Sequence, residues 1–139
     1  MRKRAVIELL REIEGANERD SDLSFRVNEA LLTAVLARPA SVHKRRFQAD
    51  LSVKYPYWTE DVSACLSRAN DELVRCELKS YADKGDRHGV RWRGIIYDAS
   101  EPRPMEECDW CAATPALVLA AAWVAFLHKL DRRAVIVAS

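Results

Sequence analysis

At 139 residues the chain has the length of one ordinary domain, built around a single core. Apolar residues make up 49% and charged residues 31%, which excludes disordered, fibrous and low-complexity classes. Against 22 Lys and Arg stand 21 Asp and Glu, a formal charge of +1, so no strongly basic domain is available to grip nucleic acid through many phosphates, and only a local patch could do so.

Val6, Leu9, Leu10 and Ile13 recur at i, i+3, i+4 and i+7 among Arg, Lys and Glu, which predicts an amphipathic helix over residues 3–14 ending near Gly15. Residues 17–23 supply capping groups for a second helix, about 21–38. Leu23, Val27, Ala30, Leu31, Ala34 and Val35 line one of its faces, and Phe25, Leu32 and Leu36 lie off it, the pattern of a helix between two neighbours. Pro39 stops it, because the residue before proline avoids the helical region.

From Phe47 to Tyr55 apolar and polar residues alternate strictly, a half-buried strand that Pro56 ends. Thr59 can cap a third helix whose inner side is Val62, Cys65, Leu66, Ala69 and Leu73. The period then switches to two. Val74, Cys76 and Leu78 alternate with Arg75, Glu77 and Lys79, a loop holding Asp83, Gly85, Asp86 and Gly89 turns the chain, and Val90 and Trp92 alternate with Arg91 and Arg93. This is a hairpin, with a bulge or register change expected at Gly94.

After Pro102 and Pro104, the residues Glu106, Glu107 and Asp109 read as a solvated acidic loop ahead of a helix N-terminus. Thr114 and Pro115 start the last helix, which runs to about Lys129 and is apolar nearly all round, the mark of a central helix. Residues Ala134 to Val137 read either as an edge strand or as a loose tail, and such an edge could support a homodimer. Nothing divides the chain, so residues 1–139 are taken as one domain.

The cysteines are few, and the charged start at Met1-Arg2-Lys3-Arg4 predicts no signal peptide, so reduced thiols in the cytoplasm are expected. The uncharged run from Cys111 to Leu127 is slightly short for a membrane span and is broken by Thr-Pro; a buried helix is expected, and no membrane partner. Cys108-Asp-Trp-Cys111 has redox spacing but sits three or four residues ahead of the helix start, so it reads as a pair of incidental cysteines in a loop. A zinc site would need Cys65 and Cys76 as well, and both fall on core-facing positions. His43, His88 and His128 are scattered, and four glycines are too few for a phosphate-cradling loop. The sequence therefore predicts no catalytic residue, cofactor or metal.

Two features point to binding. Lys44, Arg45 and Arg46, with Arg75, Lys79, Arg91 and Arg93, could gather positive charge on one sheet face, interrupted by Glu77; the plain reading is a solvated face. Tyr55-Pro-Tyr57-Trp58 sets aromatics around a proline, a composition enriched at recognition surfaces, and Tyr57 or Trp58 would be the contact.

Three stretches together resemble one family: LLREIEGANERDSDLSFRVNEALL at 9–32, YPYWTEDVSACLSRA at 55–69 and AATPALVLAAAWVAFL at 112–127, the last with an Ala-Thr-Pro-Ala-Leu-x-Leu helix start. They are similar to the phage ABA sandwich domain, a family of small phage and prophage proteins, and appear in its order. The resemblance implies an α+β fold, an α-β-α sandwich in which a small antiparallel sheet of about three strands is packed by about four helices. Its matching residues are capping and packing residues and imply no site. The 39–54 segment and the Arg-rich hairpin depart from the family pattern. The expectation is a cytoplasmic, non-enzymatic phage or prophage protein that binds a host or phage macromolecule, plausibly to inhibit a host defence. The other expectation is a nucleotide- or nucleic-acid-binding protein that uses the basic sheet face.

Overall fold

In a computed structural model of the protein, the described residues are 2–17, 21–36, 74–82 and 90–137. The strand expected at 47–55, the helix expected at 59–73, and the candidate residues Lys44, Arg45, Arg46, Tyr57 and Trp58 lie outside them.

The first helix, α1 (Lys3–Gly15), buries the predicted Val6, Leu9, Leu10 and Ile13, and Ile7 widens the stripe. In α2 (Ser21–Leu36), Leu23, Val27, Ala30, Leu31 and Ala34 are buried, and Phe25 stays largely exposed. Arg26 pairs with Glu12 and ties the two helices together.

The hairpin forms as the alternation requires. β1 (Val74–Ala82) pairs antiparallel with β2 (Val90–Asp98) from Val74↔Asp98 through Leu78↔Gly94 to Ala82↔Val90, without a break. The bulge expected at Gly94 is therefore absent. Glycine stands there because a Cβ would lie 2.7 Å from Val118 Cγ1 and 2.8 Å from the Glu77 carbonyl oxygen. After a single 3-10 turn (Glu106–Cys108), a third strand forms, β3 (Trp110–Ala112), pairing antiparallel with β2 at Trp92↔Ala112 and Arg93↔Cys111. Strand order is β1-β2-β3. Cys108 and Cys111 thus span the end of a turn and a strand rather than a loop.

The central helix is α3 (Pro115–Leu127). Thr114 Oγ1 accepts the Leu117 N–H at 3.2 Å and Pro115 follows, so the start signal acts as expected. Ala116 to Ala125 and Leu127 are all buried, because α3 lies between the sheet on one side and α1 and α2 on the other. Thirteen residues rise only about 20 Å, short of the ~30 Å of a bilayer core. Among the described residues, no helix is long and apolar enough to cross a membrane.

α3 ends in a left-handed cap. Lys129 has φ 56°, the Lys129 N–H donates to the Phe126 carbonyl, and the Leu130 N–H reaches back to the Ala125 carbonyl at 2.8 Å. Asp131 Oδ1 then accepts the Arg133 N–H at 2.7 Å and starts a short helix, α4 (Arg132–Val137), which buries Val135. The tail is neither an edge strand nor loose; the cap turns it and the aspartate makes it helical. The architecture is α+β: the described residues form three long helices and a three-stranded antiparallel sheet.

Candidate functional site

Register and pleat sort the sheet into two faces. Val74, Cys76, Leu78, Trp92, Gly94, Ile96, Trp110 and Ala112 share the face that meets α3. The opposite face carries Arg75, Glu77, Lys79 and Tyr81 from β1, Arg91, Arg93, Ile95 and Tyr97 from β2, and Cys111 from β3. The period-two pattern thus puts Arg91 and Arg93 on the same face as Arg75 and Lys79, with Arg93 opposite Lys79, Arg91 opposite Tyr81 and Arg75 opposite Tyr97.

This face is organised by a residue that sequence reasoning passed over. The Arg103 guanidinium donates through Nη2 to both oxygens of Asp109, at 3.1 and 3.0 Å, through Nε to Glu77 Oε1 at 3.0 Å, and through Nη1 to its neighbour's carbonyl, Pro104 O, at 2.7 Å. Tyr97 OH donates to the other Glu77 oxygen at 2.9 Å. Glu77, Arg103, Asp109 and Tyr97 therefore staple the 99–109 segment to β1 and β2. The hydrogen bond from Arg103, then that from Tyr97, holds the Glu77 carboxyl below its ordinary range. Hydrogen bonds to Asp109 and then to Glu77 raise the Arg103 guanidinium further above neutral pH. Asp109, expected to be solvated with Glu106 and Glu107, is only 2% exposed; a carboxylate can be buried there because a bidentate guanidinium meets it.

Arg93 is left less well served. Its Nε lies 3.7 Å from Asp109 Oδ2, too far for a hydrogen bond, and this buried nitrogen has no acceptor among the described residues. The guanidinium sits over the Tyr81 ring, 5.7 Å from its centroid. Lys79, 60% exposed, has Glu106 at 3.8 Å. These groups border a half-open cleft of about 460 Å³ lined by Glu77, Lys79, Arg93, Arg103, Met105, Glu106 and Asp109. Arg91 is partly committed to structure: its Nη2 donates to the Glu14 carbonyl at the end of α1, at 3.2 Å. The Glu14 carboxylate in turn accepts the Cys111 N–H at 2.8 Å and Arg132 Nε at 3.1 Å, covering part of the β3 edge.

A second cavity, also about 460 Å³, lies among Ile96, Trp110, Ala122, Phe126, Leu130, Cys108 and Asp131. Cys108 Sγ donates to Asp131 Oδ2 at 3.4 Å. Burial and then the aspartate push the thiol up, the wrong direction for a nucleophile. On the α3 face, burial pushes Cys76 up to about 11. Cys76, Cys108 and Cys111 are all free thiols, and no cluster of potential metal ligands occurs among the described residues. His128 Nε2 lies 2.8 Å from the Ala30 carbonyl, tying α3 to α2.

Of the candidate residues, Arg91 and Arg93 come together on one face, with Arg75 and Lys79. Tyr97 was findable by extending the same alternation past Gly94. Arg103 and Asp109 carry no periodic signal, and the strand that fixes Asp109 is three residues long. Compared with protein-family models, curated proteins and solved structures, the chain matches none of them.

Proposed function

We propose that this chain is a non-enzymatic binding protein that docks a protein partner through the polar face of its sheet, the partner offering acidic groups to Arg75, Lys79 and Arg93. The observation that carries this reading is the state of the face. Its cations point away from the core, Arg75 and Lys79 are exposed, and Tyr81 and Tyr97 stand among them, a mixture of aromatic and guanidinium groups that suits a recognition surface. The 99–109 segment is fastened down by the Arg103 pairs, so the face is preorganised and little ordering has to occur on association.

A protein partner is favoured over nucleic acid because Glu77 and Glu106 share the face with the cations and would repel a continuous run of phosphates. The raised Cys76 and Cys108 thiols argue against nucleophilic chemistry at those two cysteines. A phage or prophage origin, inhibition of a host defence, and completion of the fold to a four-helix α-β-α sandwich belong to the proposal through the resemblance of residues 9–32, 55–69 and 112–127 alone.

The test is affinity purification of the tagged full chain from a bacterial lysate. Arg75→Glu together with Lys79→Glu is expected to strip the captured protein, and Arg4→Glu, on the exposed side of α1, to leave it in place. Capture that survives the sheet reversals overturns the proposal, and so does a DNA or RNA mobility shift that those reversals abolish.

A further inference from the structure

We infer that the cavity between the hairpin and the 103–109 segment is a site for a single carboxylate group, bound by Arg93 and Lys79. The inference rests on the docking reading above and names the chemistry the partner would insert: an acidic side chain.

Lys79 and Arg93 are direct cross-strand partners and their side chains leave the same face of the sheet. Like charges placed directly opposite one another repel, so the pair weakens the hairpin unless an anion lies between them. Among the described residues, the anions do so poorly. Both oxygens of Asp109 are occupied by Arg103, and Arg93 Nε stands 3.7 Å away. Glu106 reaches Lys79 only at 3.8 Å, from a carboxylate 71% exposed to water, where such a pair is weak. Arg103 differs, since each of its three nitrogens donates to an acceptor. Arg93, whose buried Nε has no acceptor among the described residues, thus lines a cavity of about 460 Å³.

Charge and size narrow the ligand. Glu77, Glu106 and Asp109 line the cavity together with Lys79, Arg93 and Arg103, so the described walls balance before anything enters. A monoanion gains the two underused cations. A dianion gains no more donors and meets three carboxylates, which disfavours a phosphate. The volume exceeds that of a carboxylate and leaves room for the aliphatic stem that carries it, against Met105.

The test uses isotope-labelled full-length protein titrated with N-acetylglutamate α-amide, its neutral counterpart N-acetylglutamine α-amide, and inorganic phosphate at matched ionic strength, followed through the backbone amides of β1 and β2 and the Arg93 Nε–H. The expected result is saturable binding of the glutamate probe in the millimolar range, no saturation with the glutamine probe, and phosphate at least fivefold weaker. Arg93→Gln and Lys79→Gln should each raise the Kd about tenfold, Arg93→Lys should restore part of the loss, and Arg4→Gln should change nothing. The amide spectra report directly whether each variant remains folded. Equal response to the glutamate and glutamine probes, tighter binding of phosphate, or indifference to a folded Arg93→Gln or Lys79→Gln overturns the site. If the probe fails to saturate while partner capture still depends on Arg75 and Lys79, this site falls and the docking face stands. Saturation alongside capture that ignores those reversals upholds the site and removes the docking face.

Discussion

Replacing Gly94 with alanine probes the sheet–helix contact where it is tightest. The added Cβ would come within 2.7 Å of Val118 Cγ1, 2.8 Å of the Glu77 carbonyl oxygen and 3.4 Å of Leu78 Cδ1. Two effects oppose. Alanine restricts the unfolded chain, and where the native backbone accepts it that alone stabilises by about 0.4–1 kcal/mol. Against this, Val118 is completely buried in α3 and its methyl has nowhere to swing. The Glu77 carbonyl belongs to β1, so moving it disturbs the β1–β2 pairing. Overpacking of this kind costs about 1–3 kcal/mol, so the steric effect wins and Gly94→Ala should lose about 1–2 kcal/mol. For a domain of this length that lowers the melting temperature by roughly 3–7 °C. Urea unfolding followed by far-UV circular dichroism measures it. In a double-mutant cycle, Val118→Ala removes one of the two close contacts, so the double variant should be more stable than the sum of the single losses by about 1 kcal/mol. Wild-type or higher stability in Gly94→Ala refutes the reasoning, because it means α3 and β2 are not in this contact.

Asp109→Asn should cost about 2 kcal/mol, because it exchanges a buried, charge-assisted pair with Arg103 for a weaker one, and chemical denaturation reads the loss directly. Glu77 titrates below the usual carboxyl value of 4.5 in the folded chain, so its contribution is present above that pH and fades as pH falls through the lowered value. The stability difference between wild type and Glu77→Gln, about 0.5 kcal/mol at neutral pH for so exposed a pair, should therefore shrink as pH falls through that lowered value; a difference that grows on acidification contradicts the assignment. Lys129→Gly should stabilise by about 0.5–1 kcal/mol in thermal unfolding, since glycine takes the left-handed cap without the Cβ strain lysine bears there. With its thiol near 11 rather than 9, Cys76 should carry about a hundredfold less thiolate at pH 8 than an unperturbed cysteine, and iodoacetamide labelling read by mass spectrometry should leave it unmodified in the native chain until unfolding exposes it.

The elements that were legible are those whose periodicity persists. α1, α2 and α3 repeat apolar residues over three turns or more, and the two hairpin strands alternate long enough to fix which side of each residue faces inward. Thr114 and Pro115 mark a boundary for a local reason, an oxygen acceptor and a missing donor at the first helical turn. β3 escaped because three residues cannot display a period, and α4 escaped because its start depends on Lys129 accepting a left-handed backbone that glycine usually supplies. At the candidate site, the shared side of Arg75, Lys79, Arg91 and Arg93 followed from alternation. The burial of Asp109 did not, since an acidic run ahead of a helix reads as solvated until its guanidinium partner is known.

Residue order alone dictates what is local: where the long helices and the hairpin strands lie, which side of each is apolar, and that α3 must be enclosed by protein. These follow from backbone geometry and residue spacing, which need no knowledge of distant partners. Packing across the molecule is what keeps Gly94 for close approach to Val118 rather than for a bulge, brings Arg103 back to Glu77 to close the 99–109 segment, and leaves Arg93, opposite Lys79, with a donor that no described residue answers. Each of these is a matter of which side chains meet across long chain separations, and that is settled by packing, not by period.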